Sequence, residues 1–136
     1  MTPGAARILV VDDDEDNRTL LQMVMAIEGY DAVVAESGKE ALAMIAEQAP
    51  DLVLLDVMMP EMNGFEVTAA PRRSAAPRHI VVILVSALDD EKTRRQAREC
   101  GADDYFTKPI DRTDVCLQIR KLLTSAVAPS SGGETA

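Results

Sequence analysis

Five polar groups of this sequence stand where apolar runs stop. The pair Asp12-Asp13 follows Ile8–Val11, Asp56 follows Leu52–Leu55, Ser86 follows Ile80–Val85, and Lys108 follows Tyr105–Thr107. Brought to one place, the three carboxylates repel one another. Two unit charges about 5 Å apart at an effective dielectric near 20 cost roughly 3 kcal/mol. Either some of them take up protons or a cation binds between them. Oxygen donors without histidine or thiolate favour Mg²⁺, or Mn²⁺ in its place. An ammonium and a hydroxyl beside such an acid suit phosphoryl transfer, where catalysis is mostly positioning and charge neutralisation. Asp56 is best placed as the nucleophile, because it ends an interior run and precedes the loop Val57-Met58-Met59-Pro60-Glu61-Met62-Asn63-Gly64. An aspartyl phosphate is a known product of carboxylate nucleophiles. The plainer role of acids after a strand, capping a helix N-terminus, suits Asp14 and Asp16.

The elements that must gather these groups alternate along the chain. Ile8–Val11, Ala32–Ala35, Leu52–Leu55 and Ile80–Val85 are continuous apolar runs, as expected of strands buried on both faces of a parallel sheet. Tyr105–Thr107 is a weaker fifth. Between them the pattern predicts five helices. The first runs from about Asp14 to Glu28, turns Leu20, Val24 and Ile27 inward, and stops at Gly29. The second starts at Ser37 with Glu40 completing a capping box before Ala41, Leu42 and Ile45, and ends by Pro50; the third starts at Asn63 with Glu66 in the same relation. Pro71 should end that third helix near Ala70, leaving an irregular segment to His79. The fourth spans roughly Asp89 to Cys100 before Gly101, and the fifth begins near Asp111 with Val115, Ile119 and Leu122 inward. Strictly alternating β and α segments imply right-handed crossovers and a sheet covered on both sides. Such folds place their site beyond the carboxyl ends of the strands, where strand order reverses.

Composition narrows the function further. The 136 residues fit one domain, 47% hydrophobic and 27% charged. The formal net charge of −9 argues against direct nucleic-acid binding. Arg72, Arg73 and Arg78 read as solvated surface, and Lys92, Arg94, Arg95 and Arg98 as a charged outer helix face. Cys100, Cys116 and the single histidine, His79, are too few and too scattered for a disulfide framework or a zinc site, and read as packing residues. No apolar run approaches a membrane span, and Met1-Thr-Pro-Gly-Ala-Ala lacks the regions of a secretory signal, so the expected compartment is the cytoplasm.

Four stretches, Ile8-Leu-Val-Val-Asp-Asp-Asp, Leu54-Leu-Asp-Val-Met-Met-Pro-Glu-Met-Asn-Gly, Val85-Ser-Ala and Tyr105-Phe-Thr-Lys-Pro, occur in this order and each at a strand end. In them the sequence resembles the receiver domain of two-component response regulators, from about Arg7 to Thr124, with residues 125–136 left as a tail or the start of a linker. The resemblance implies a doubly wound α/β fold, a (βα)5 flavodoxin-like three-layer sandwich with strand order 2-1-3-4-5. It implies that Asp12 and Asp13 form the acidic pair, and that Asp56 accepts a phosphoryl group and also holds Mg²⁺ together with the Met58 carbonyl. Ser86 would bond a phosphoryl oxygen and Lys108 would pair with the phosphorylated carboxylate. Tyr105 would be the aromatic switch that turns inward as Ser86 moves, and the Lys108–Pro109 peptide would be cis. The implied partners are a sensor histidine kinase or histidine phosphotransfer protein, and a downstream output protein or domain. The implied output surface is the face of the fourth helix, fifth strand and fifth helix, roughly Asp89 to Leu123, which binds a partner or forms a homodimer.

Two departures bear on lifetime. Met58, two residues past Asp56, and Leu88, two past Ser86, are apolar where this family's side chains help set how fast the phosphoryl group is lost. Neither would orient an attacking water, so a long-lived phosphorylated state is expected. The rival readings are weaker. A phosphohydrolase resembling the haloacid dehalogenases needs a second acid at the position of Met58, and a flavin-binding domain needs a Gly/Ser/Thr loop where Asp12–Asp16 stands. A receiver-like interaction module working without phosphate is the remaining alternative.

Overall fold

The computed structural model describes residues 6–73, 80–88 and 90–127. Its elements alternate as β1 (Arg7–Val11), α1 (Glu15–Ile27), β2 (Asp31–Ala35), α2 (Gly38–Glu47), β3 (Leu52–Asp56), α3 (Gly64–Arg73), β4 (Val81–Ser86), α4 (Glu91–Glu99), β5 (Asp104–Thr107) and α5 (Arg112–Val127). The five strands form one sheet in the order β2-β1-β3-β4-β5, and every pairing is parallel. This is the doubly wound architecture the alternation implied.

The continuous apolar runs have a direct structural cause. Successive side chains of a strand point to opposite faces. Ile8, Val10, Leu52, Leu54, Ile83 and Val85 pack with Val24 and Met25 of α1 and Val115 and Ile119 of α5. Leu9, Val11, Val53, Leu55, Val82 and Leu84 pack on the other face with Ala41 of α2, Val67 of α3 and Ala97 of α4. Two cores back to back leave no solvated strand face, so no alternation survives in the sequence.

Local signals fix where helices begin and end. Ser37 Oγ accepts from the Glu40 amide at 3.1 Å, while Glu40 Oε1 reaches the Glu36 amide at 2.8 Å. Asn63 and Glu66 form a reciprocal box, with bonds of 3.0 and 2.9 Å. Asp14, Asp90 and Asp111 cap α1, α4 and α5 in the same manner. Gly29 and Gly101, both at φ 95°, take the left-handed conformation just past α1 and α4.

Several expectations need correction. Leu20 and Ile27 are 56% and 70% exposed; Val24 is buried as expected, with Met25 buried and Leu21 partly buried beside it. Helix α3 continues through Pro71 to Arg73. Proline's fixed φ is compatible with a helix, and its missing amide removes only one bond near the helix end. Helix α5 runs to Val127, with no helix-breaking residue before Pro129. Helix α4 starts at Glu91, after the Asp90 cap; Asp89, His79 and Arg78 lie outside the described residues. Cys100 is half-buried and Cys116 buried, and neither forms a disulfide. No helix among the described residues is long and apolar enough to cross a membrane.

Gly64 opens α3 directly beneath β3, its amide donating to the Val57 carbonyl at 3.0 Å. A Cβ there would stand 2.9 Å from both the Asp56 carbonyl oxygen and Val57 Cα, and 3.2 Å from Leu84 Cδ2. Backbone cannot yield as a flexible side chain can, so overpacking outweighs the better helix propensity of alanine. Gly64→Ala is expected to lower stability by about 1–3 kcal/mol, read from the urea midpoint. An unchanged or higher midpoint would contradict this packing.

Candidate functional site

The parallel sheet brings its carboxyl ends to one edge. Asp12 follows β1, Asp56 ends β3 in register with Val85, and Ser86 ends β4 in register with Thr107, one residue before Lys108. Asp12, Asp56 and Ser86 are buried, and Asp13 is exposed. Asp12, Asp13 and Asp56 each offer a carboxylate oxygen, and these oxygens lie within 4.8 Å of one another. Lys108 Nζ stands 3.5 Å from Asp56 Oδ1 and 3.7 Å from Asp12 Oδ2. All five groups singled out in the sequence thus fall at this edge.

Backbone contacts orient the acids. The Asp14 amide donates to Asp12 Oδ1 at 2.9 Å, and Arg18 Nη1 donates to the Asp12 carbonyl at 2.9 Å. The Met58 amide donates to Asp56 Oδ1 at 3.3 Å. Glu61 in the following loop adopts a left-handed φ of 68°. The Lys108 amide donates to the Ser86 carbonyl at 2.8 Å, tying the ends of β4 and β5, and the Lys108–Pro109 peptide is cis. Ser86 Oγ accepts from the Leu88 amide at 3.0 Å. The Tyr105 hydroxyl donates to the Leu88 carbonyl, so Leu88 is held at both its polar backbone atoms.

Burial pushes the Asp56 carboxyl up to about 6 from its ordinary 3.8, and the neighbouring Asp12 charge adds to the rise; Lys108 and the Met58 amide pull it back. An acid edge of oxygen donors, one of them made costly to ionise, is the arrangement a hard divalent cation relieves.

Two recesses flank the edge. An apolar cavity of about 600 Å³ lies between α1 and α5 and reaches Asp12, Asp56 and Lys108. A second, of about 480 Å³, opens on the other side beside Met58, Leu88 and Phe65. Met58 and Leu88 are 57% and 45% exposed, so two apolar side chains stand at the rim. Neither recess was readable in the sequence, since each is formed between elements far apart in the chain. Sequence reasoning also placed Arg94 on an outer face with Lys92, Arg95 and Arg98. Those three are exposed, but Arg94 is half-buried, its guanidinium carbon 5.0 Å from the Tyr105 ring centre. Arg94 Nη2 further donates to Thr107 Oγ1 at 3.4 Å.

The response regulator receiver domain matches residues 8–120 of the chain. The chain belongs to that family. The receiver is 47% identical over 118 residues to the response regulator PleD of Caulobacter vibrioides, covering 87% of this chain and 26% of PleD. It is 39% identical to the alkaline phosphatase synthesis transcriptional regulatory protein PhoP of Bacillus subtilis, covering 92% of this chain and 52% of PhoP. The receiver thus spans about a quarter to a half of the length of these two relatives. Among solved structures, the signal receiver domain of a signal transduction histidine kinase from Syntrophus aciditrophicus superposes with a TM-score of 0.83 at 32% identity, over 89% of this chain and 92% of that one.

The elevated Asp56 carboxyl has a consequence for stability. Well below its ordinary 3.8 Asp56 is protonated in folded and unfolded chains alike and costs nothing, and near pH 4 the cost is still small. As pH rises toward 6 the unfolded chain ionises freely while the folded one resists, so stability falls; above about 6 the full cost remains. Asp56→Asn, neutral throughout, is expected to match the native receiver near pH 4 and to exceed it by on the order of 2 kcal/mol above pH 6.5 in chelator. Thermal melts between pH 4 and 7.5 check this. A difference that does not change with pH would refute the assignment.

Proposed function

We propose that this receiver is a phosphorylation switch in which Asp56 accepts a phosphoryl group in a Mg²⁺-dependent reaction. The observation that carries the reading is a buried carboxylate flanked by Asp12, Asp13 and the Lys108 ammonium at the carboxyl edge of a parallel sheet. Asp12, Asp13 and Asp56 would hold the cation, with the Met58 carbonyl as a further oxygen donor. When bound, Mg²⁺ supplies positive charge against the carboxylate and phosphoryl oxygens.

The chain's own groups do the rest. An Asp56 carboxylate oxygen attacks the phosphorus of a phosphohistidine on a kinase or phosphotransfer protein. The P–O bond forms as the P–N bond breaks, and the departing imidazole takes a proton from solvent. Lys108 balances charge on the modified carboxylate, and the Ser86 hydroxyl donates to a phosphoryl oxygen. The added charge shifts a two-state surface built from α4, β5 and α5, and Ser86 and Tyr105 transmit it. That face binds an output partner or a second copy of the receiver. The self-directed phosphoryl transfer and loss are the only chemistry assigned, and the cytoplasm is the compartment where a kinase would meet it.

Intact mass after incubation with acetyl phosphate tests the switch. A gain of one phosphoryl group that requires Mg²⁺ and is lost in Asp56→Asn is the expected result. No gain under any condition would instead support an interaction module that works without phosphate.

Met58 and Leu88 are exposed and apolar, and neither carries a group that could orient a hydrolytic water. The aspartyl phosphate should therefore outlive that of fast chemotaxis-type receivers. Met58→Gln should shorten its half-life by about two- to tenfold, the worth of one added hydrogen bond to the attacking water. A decay of phosphorylated protein as fast as theirs, or insensitive to the substitution, would overturn this.

A further inference from the structure

Arg94 is the one cation of the α4 run that faces inward, and its surroundings suggest a purpose. It lies over the Tyr105 ring and donates to Thr107, two residues that share a face of β5. Tyr105 in turn donates to the Leu88 carbonyl, and the Leu88 amide donates to Ser86 Oγ. With its oxygen accepting from Leu88, the Ser86 hydroxyl keeps its hydrogen free to donate elsewhere. Thr107 is paired with Ser86 in the sheet, and the Lys108 amide holds the Ser86 carbonyl. Both arms of the Arg94 contact therefore lead to Ser86, one through the Tyr105 ring and Leu88, the other through β5.

We propose that Arg94 is a positioning residue that clamps Tyr105 onto the Leu88 carbonyl and so fixes the Ser86 hydroxyl as a donor beside Asp56. The proposal rests on the phosphoacceptor reading for its rate effect, but the clamp itself is a matter of local structure. A guanidinium stacked on an aromatic ring restricts how the ring can turn, and the attraction is electrostatic and directed at the ring face. Removing it leaves Tyr105 with the same hydroxyl but more freedom to swing away, which loosens Leu88 and with it Ser86. The clamp joins α4 to β5, so a partner that displaces Arg94 would reach the acid edge without touching it.

The test compares the native receiver with Arg94→Ala, Arg94→Lys, Tyr105→Phe and the double variant Arg94→Ala/Tyr105→Phe. Two readouts are taken: hydrogen-exchange protection of the Leu88 amide by NMR without any phosphodonor, and the rate of phosphorylation by acetyl phosphate with Mg²⁺. Arg94→Ala should reduce Leu88 protection and slow phosphorylation, each by about two- to fivefold, the range a cation–ring contact near the surface supports. Arg94→Lys should recover part of both, and the double variant should lose little more than Tyr105→Phe alone, because both changes cut one chain of contacts. Core amides such as that of Ile83 should keep their protection, which separates loss of the clamp from general destabilisation. Unchanged Leu88 protection in Arg94→Ala overturns the clamp, whether or not the receiver takes phosphate. Loosened Leu88 with an unaltered phosphorylation rate overturns its role in the reaction. If the native receiver gains no phosphate, the phosphoacceptor reading fails while the protection data still decide the clamp.

Discussion

Negative charge crowded at the end of a hydrophobic sheet sets the terms for this molecule. Asp56 is buried at the head of the central strand with the buried Asp12 beside it, and Lys108 is within ion-pair distance of both. A carboxylate withdrawn from water resists ionisation, and a neighbouring carboxylate resists it further. The fold therefore holds its edge at a cost that a cation, a proton or a rearrangement can relieve. A state can be shifted only by interactions that differ between its alternatives, and relief of this cost is one such difference.

The remainder of the structure keeps those groups from escaping the strain. Two apolar layers lock β1, β3 and β4 on both faces, so the strands carrying Asp12, Asp56 and Ser86 cannot slide without unburying a row of side chains. Gly64 lets α3 press against the backbone of Asp56 and Val57, and the Met58 amide steadies the carboxylate from the loop. The β5 end is lashed to β4 through the Lys108 amide and the Ser86 carbonyl. Rigid strands thus hold the charged atoms, while the flanking loops supply the contacts that can change.

Much of this was legible in the sequence, for identifiable reasons. Strands buried on both faces leave uninterrupted apolar runs, and caps such as Ser37 with Glu40 or Asn63 with Glu66 are local, so five strands (the fifth more weakly), five helices and the edge acids are legible in the sequence. The inward face of α1 could not be, because the adjacent pairs Leu20-Leu21 and Val24-Met25 support two helical stripes, and only docking on the sheet selects Leu21, Val24 and Met25. Pro71 signals an earlier stop than α3 makes, since a proline near a helix end deletes one bond without forbidding the next residues from continuing. Arg94 looked like its neighbours in composition; what distinguishes it is the position of Tyr105 across a crossover, which no local pattern encodes.

The charge balance also argues about how a signal could leave the edge. The chain carries a formal net charge of −9, and a phosphoryl group would add more at a place that already holds three carboxylates. Long-range repulsion is a poor messenger, because exposed charges more than about 8–10 Å apart are largely screened at physiological ionic strength. Short contacts are screened far less. Lys108 and Ser86 are joined through the backbone, Ser86 meets Leu88, and Leu88 meets Tyr105 under Arg94, each step within bonding distance or ring contact. On the proposed switch reading, a change at Asp56 would travel this route to the α4–β5 surface as geometry, whereas charge alone is largely screened beyond about 8–10 Å.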